Sequence, residues 1–143
     1  MSDHFSMDEL TYSQTAARLG IDNTPGPTEV ENLNRLCSVL LEPIRAMLNV
    51  PIHVDSGYRS PLVNHLIGGA ADSAHMDGRA ADIIPYDVGL KTAFDIIRNS
   101  SLPYDQVIIE CNAWIHVSIS DTPRRMAMTA SGTPGNWVYT EVA

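Results

Sequence analysis

The sequence has little cysteine, little positive charge and no long apolar run. Cys37 and Cys111 are its two cysteines, too few for a disulfide framework and without the paired spacing of a thiolate metal site. Both read as reduced thiols, Cys37 in a helix core. Nine lysines and arginines stand against seventeen aspartates and glutamates, giving a formal net charge of −8. The basic residues are scattered, so the face expected of a nucleic-acid binder is missing. No stretch approaches the roughly 18 consecutive apolar residues of a membrane span, so helical insertion is not expected. The opening Met1-Ser2-Asp3-His4-Phe5-Ser6 has neither a positive n-region nor an apolar h-region, and the expectation is a chain made in the cytoplasm without a signal peptide. Internal repeats and low-complexity tracts are absent too.

What is present is the composition of a globular protein: 143 residues, 44% hydrophobic and 18% charged. That length suffices to bury a core without disulfides or oligomerisation, and one domain over residues 1–143, monomeric, is expected. Residues 1–27 read as an N-terminal segment packing on that domain. Residues 121–143 read as a loop-rich tail with one strand candidate at 136–140.

Between these ends, Thr28 and Glu31 have the spacing of a capping box, and Val30, Leu33, Cys37, Leu40, Ile44 and Leu48 trace the stripe of a long amphipathic helix. Pro43 predicts a kink or break inside it. Pro51 to Val54 reads as a short strand. Ser60-Pro61 supplies an N-cap and first-turn proline for a helix ended by Gly68-Gly69, which leaves Gly57-Tyr58-Arg59 on a strand-to-helix connection. Residues 80–84 read as a buried strand stopped by Pro85, and residues 87–99 as a helix. Two strands follow, 106–110 and 114–119, joined by Cys111-Asn112-Ala113. So short a connection forces an antiparallel hairpin. The class is α+β, a small antiparallel sheet flanked by helices.

Two segments carry chemistry. In Ser73-Ala74-His75-Met76-Asp77-Gly78-Arg79-Ala80-Ala81-Asp82 a histidine in a polar loop precedes a carboxylate inside an apolar strand. An unpartnered buried carboxylate costs several kcal/mol, and a divalent cation removes that cost; pairing with Arg79, or capping a loop, is the plainer explanation. In Trp114-Ile115-His116-Val117-Ser118-Ile119 the odd positions are aliphatic, so His116 points away from the core. If the hairpin pairs Glu110 with Trp114 and Ile108 with His116, Glu110 and His116 share a face as diagonal neighbours, about 7–8 Å apart; a one-residue slip would turn Glu110 away. Two histidines, a carboxylate and a water make a four-coordinate zinc site with an open position, the arrangement used for hydrolysis. Glu110 would then be the base that takes a proton from the water and hands it to the leaving amine.

These residues, in this order, resemble the zinc D-Ala-D-Ala peptidases of the VanX and VanY type, whose fold is shared with hedgehog signalling domains. The family pattern Ser-x-His-x-x-Gly-x-Ala-x-Asp is met at Ser73, His75, Gly78, Ala80 and Asp82, and the later glutamate and third ligand look like Glu110 and His116. The upstream Ser56-Gly57-Tyr58-Arg59-Ser60 looks like the family's arginine-bearing turn, and Phe5-Ser6, Glu9-Leu10, Ser13-Gln14 and Thr24-Pro25 resemble the front end of small phage and prophage members. The likeness covers about residues 5 to 120 and fades after Asp121. Where some members carry a second histidine, this chain has Trp114.

The resemblance implies one Zn²⁺ held by His75, Asp82 and His116, a catalytic Glu110, and peptidoglycan stem peptides as substrate. It leaves open a D-alanyl-D-alanine carboxypeptidase, a cross-link endopeptidase, or an endolysin-type enzyme such as an L-alanyl-D-glutamate peptidase that reaches the wall during phage or prophage lysis. The rival from another class is a hedgehog-type binding module that keeps the metal without turnover. Arg59 is either a surface arginine or a site residue that binds a substrate carboxylate or an oxyanion; Ser73 is a loop cap or a group that touches substrate or orients a ligand. His4, His53 and His65 read as surface or satisfied residues, and Trp114 and Tyr58 as cleft lining or plain packing.

Overall fold

The computed structural model describes residues 2–133 and 136–142. Its N-terminal segment is tied down from the first turn. Ser6 caps helix α1 (Met7–Thr11) by accepting from Glu9 N while the Glu9 carboxylate accepts from Ser6 N, a reciprocal cap that satisfies two orphan donors. Phe5 and Leu10 thereby enter the core. Helix α2 (Gln14–Leu19) starts on Ser13 and ends at Gly20. Asn23 then links this segment to the turn ahead: its amide donates to Thr11 O at 2.8 Å and Tyr58 O at 3.1 Å, and its Oδ1 accepts from Ser60 N at 2.8 Å.

The long helix runs as α3 (Pro27–Leu36), a π turn (Cys37–Leu41) and α4 (Glu42–Leu48). The expected Thr28–Glu31 capping box does not form. Gly26 is the N-cap and Pro27 the first helical residue, because a proline with its fixed φ and no donor belongs at that position. The break expected at Pro43 takes the form of the π turn before it, where Glu42 N bonds back to Cys37 O. The added residue shifts the phase of the stripe, so Leu36, Cys37, Leu40 and Leu41 are all buried. Burial pushes the Cys37 thiol up to about 11, so it stays protonated; Cys111 is exposed, and neither is bonded.

Strand β1 (Ile52–Ser56) leads to α5 (Pro61–Leu66), whose N-cap Ser60 accepts from Val63 N. After a 3₁₀ turn (Ala74–Asp77) comes β2 (Ala80–Pro85), then α6 (Leu90–Arg98), β3 (Gln106–Glu110) and β4 (Trp114–Ser118). Helix α6 begins three residues later than expected: Asp87 sits at φ 58 and Gly89 caps the helix, and a left-handed residue cannot belong to a right-handed helix.

The tail corrects the sequence reading. Instead of loop, it forms β5 (Met126–Thr133) and β6 (Asn136–Glu141), completing a six-stranded sheet of order β1-β2-β4-β3-β5-β6. All neighbours are antiparallel except β3 and β5. The α+β class stands, with a larger and mixed sheet. Apart from Thr129 and Thr133, residues 126–133 are alanine, methionine, serine and glycine, with no valine, isoleucine or aromatic residue to mark a strand, and the segment pairs with β3 along 126–130.

The two sheet faces differ. Val107, Ile109, Ile115, Val117 and Ile119 pack with Leu33, Leu40, Phe94 and Ile97 in the main core beneath the helices. The opposite face carries a small buried apolar group, Ile108, Met128 and Ala130 with Met126 packed on it, beside an open cleft.

Candidate metal centre

Alternation along the strands sends Asp82, Ile108, Glu110, Trp114 and His116 to the cleft side, since successive side chains leave a strand on opposite faces. The pairing assumed from the sequence is the one observed: Glu110 opposite Trp114 and Ile108 opposite His116. On the other side of β4, Asp82 stands directly opposite His116. Neighbouring strands thus bring a carboxylate and an imidazole together. His75 arrives from the 3₁₀ turn, where Ser73 Oγ accepts from His75 N at 3.2 Å. Gly78 closes this turn at φ 72, and a Cβ there would lie 2.5 Å from Glu29 O, so the motif glycine is required both by conformation and by packing on α3.

His75, Asp82 and His116 are all buried, and their ligand-type atoms lie within 4.8 Å of one another. His75 Nε2 and His116 Nδ1 are each 3.3 Å from Asp82 Oδ1, and the ring centroids are 5.1 Å apart. Among the described residues these three are the one cluster of this kind. Nδ1 of His75 is 2.7 Å from Gly57 O. A carbonyl oxygen only accepts, so Nδ1 carries a proton and Nε2 is the nitrogen turned toward the carboxylate oxygen. Burial lowers the His75 pKa, against the opposing pull of the Asp82 carboxylate. At Asp82 burial opposes ionisation, but the two histidines outweigh it and hold the carboxyl well below the usual carboxylate range. His75 Nε2 and Asp82 Oδ1 face one another where a proton or a metal cation must lie between them, and two nitrogens with one oxygen is a donor set that fits zinc. The pairing of Asp82 with Arg79 is not seen: the nearest carboxylate to Arg79 is Asp121, at 3.9 Å.

Glu110 is half-buried on the same face. Trp114 Nε1 donates to its Oε1 at 2.7 Å, so the tryptophan in place of a second histidine fixes the orientation of this carboxylate. Burial, followed by the charge of Asp82, raises the Glu110 carboxyl above its ordinary value, the direction that suits a proton acceptor working near neutral pH.

Arg59 closes the opposite wall. Its backbone N–H donates to His75 O at 3.1 Å and its Nη2 to Ser73 Oγ at 3.2 Å, while its buried Nε has no partner among the described residues. Burial works against its charge, and Asp82 and Glu110 work for it. Ser73 serves as both cap and arginine contact. Gly57, two residues before Arg59, approaches α1 so closely that a Cβ would lie 2.2 Å from Leu10 O. This contact fixes the carbonyl that orients His75.

These groups line a cleft of about 780 Å³. Trp114 lines it, whereas Tyr58 is buried in the main core. His4 instead contacts Glu42 at 2.6 Å, and His53 and His65 are exposed. Sequence reasoning missed Met126, Met128, Trp137 and Tyr139, which reach the cleft from the tail, and Asn23, whose hydrogen bonds to Tyr58 O and Ser60 N hold the Arg59 turn while a third ties it to Thr11.

The family model for Peptidase M15 matches residues 3–118. The chain belongs to the peptidase M15 family. Peptidase M15 enzymes are zinc-dependent metallopeptidases that act on peptidoglycan peptides, and the α+β architecture agrees with the family fold. No curated protein matches the chain. The matched residues include the whole His-Asp-His cluster, Arg59, Ser73 and Glu110. Strands β5 and β6 lie beyond them.

Proposed function

We propose that this M15 chain hydrolyses an amide bond in the stem peptide or cross-link of peptidoglycan, with one zinc ion held by His75, Asp82 and His116. The observation that carries this reading is the convergence of three buried ligand-type side chains, one with its Nδ1 committed to Gly57 O and its Nε2 turned to the cluster, beside a raised carboxyl and an open cleft. When bound, zinc supplies a Lewis acid for the scissile carbonyl and brings the pKa of a water toward about 7. Glu110, oriented by Trp114, accepts a proton from the attacking water. As the C–N bond breaks, it passes that proton to the leaving nitrogen, so acid and amine leave in balance. Arg59 and Ser73 sit across the cleft, where the guanidinium binds the negative charge that develops on the carbonyl oxygen or a terminal substrate carboxylate.

Among the reactions open to such a site we favour an endolysin-type endopeptidase. The support is the likeness of Phe5-Ser6, Glu9-Leu10 and Ser13-Gln14 to small phage and prophage members. Its place of action would be the wall, reached on release from the cytoplasm during lysis.

Digestion of purified muropeptides, with mass analysis of the products, tests both levels. Cleavage should stop with chelator and return with zinc, and the fragment masses name the bond; cleavage that ignores chelator removes zinc from the mechanism. Glu110→Ala should retain zinc and lose about 10²- to 10⁴-fold in kcat. Full activity in that variant would remove Glu110, whereas a wild type that binds zinc and stem peptide without any turnover is the hedgehog-type binding module.

A further inference from the structure

Tyr139 stands in a defined relation to Glu110. Glu110 pairs with Ala130 across β3 and β5, and Ala130 pairs with Tyr139 across β5 and β6. The two long side chains therefore rise from one cross-strand row, about 10 Å apart at the backbone, with only the Ala130 methyl between them. The result is a slot with Glu110 on one side, Tyr139 on the other and a flat floor. Trp137, two residues before Tyr139, shares its face and lines the same cleft.

The slot has contrasting walls. Across the cleft are loops bearing Arg59, Ser73 and Asp72; on the strand side are Ile108, Met128, Trp137 and Tyr139. Strand β6 is the sheet edge, and Tyr139 remains 46% exposed, so its ring is not absorbed by the core. Rigid aromatic side chains with one polar tip, half-exposed at the rim of a cleft, suit the grip of a peptide: the ring packs on a small apolar side chain and the hydroxyl hydrogen-bonds the backbone. Burial, then the carboxylates of Glu110 and Asp82, raise the phenol's pKa, so it carries its proton at neutral pH and can donate.

We propose that the β5–β6 hairpin is the substrate-binding wall of this site, with Trp137 packing against the peptide and the Tyr139 hydroxyl hydrogen-bonding its backbone in the slot across Ala130 from Glu110. The proposal rests on the peptidase reading and adds binding residues that lie outside the family-matched span.

Zinc-loaded wild type, Tyr139→Phe, Trp137→Ala and Val138→Ala are compared on the purified stem peptide for kcat and KM. Affinity for the same peptide is measured directly in a Glu110→Gln background, where turnover is suppressed. Tyr139→Phe should raise KM about three- to tenfold and Trp137→Ala by more than about tenfold. kcat should hold within about twofold, the signature of lost uniform binding, with matching losses in Kd. Val138, on the other face of β6, should leave KM unchanged, and zinc content and melting midpoint should match wild type throughout. Unchanged KM and Kd in both aromatic variants, with wild type still cleaving, overturns the hairpin proposal alone. A fall in kcat without a change in KM overturns the binding role. A wild type that neither cleaves nor binds the peptide overturns the peptidase reading and this proposal with it. If Trp137→Ala does not fold, Tyr139→Phe, which removes one hydroxyl, decides.

Discussion

At the centre of the sheet, Asp82 and His116 face one another across β2 and β4 at 4% and 8% exposure; on β6, Tyr139 stands at 46%. The same sheet face runs through both regions. In the centre a polar side chain is cut off from water and must be satisfied by a specific partner, so the neighbourhood is over-determined: His75 held by Gly57 O, Glu110 by Trp114, Arg59 by Ser73. At the edge water satisfies whatever the strand presents. Side chains there are free to be chosen for a ligand.

Removing the central carboxylate tests this contrast most severely. Asp82→Ala should abolish stoichiometric zinc binding and with it hydrolysis, while the β5–β6 hairpin persists. In wild type, chelation should lower stability by about 2.7 kcal/mol relative to a solution in which free zinc exceeds Kd a hundredfold. The variant's melting midpoint should not respond to chelator. Metal analysis with thermal unfolding checks both, and a variant that still holds one zinc per chain would sink the three-ligand centre.

A smaller effect is expected one step behind the ligands. Gly57→Ala would push α1 and the Gly57 carbonyl apart, since the added Cβ meets Leu10 O at 2.2 Å. Loss of the bond that orients a ligating histidine typically costs about 10- to 100-fold in metal affinity, and competition against a chromophoric chelator reads it. Unchanged affinity would mean that packing alone orients His75.

The central region was also the legible one. In 114–119 every second residue is aliphatic, so His116 is conspicuous as the exception that faces elsewhere, and Asp82 stands out in an apolar strand for the same reason. The three-residue link required an antiparallel β3–β4 hairpin but left its register open; the assumed pairing, which puts Glu110 on the cleft face, is the one observed. Residues 126–133 offer no such contrast. Their burial is imposed by the neighbouring β3, and Trp137 and Tyr139 gain their place only once β5 has docked in parallel register, a long-range event with no local signature. Gly26-Pro27 overruled the Thr28–Glu31 spacing for a related reason: two local signals competed and the proline's fixed geometry won. Asn23 was silent because its role is to bridge three segments distant in sequence.

The joint between the two regions gives the mildest prediction. Asp105, just before β3, accepts from Arg124 N and Nε at 3.0 Å and from its Nη2 at 2.7 Å, and its own backbone oxygen accepts from Met126 N at 2.9 Å. The Arg124 hydrogen bonds hold the Asp105 carboxyl below its ordinary value against the opposing effect of burial. A depressed folded-state pKa stabilises the fold above the unfolded value of about 3.9, and that contribution is lost as pH falls through the folded value. Arg124 is more than half exposed, so solvent screening limits the pair to at most about 1 kcal/mol. Asp105→Asn should therefore be less stable than wild type by up to that amount at pH 7 in urea unfolding. The gap should close as both proteins are taken into acid. A deficit that persists unchanged there would mean that Asp105 anchors the hairpin through shape and neutral hydrogen bonds, and that centre and edge are joined without help from charge.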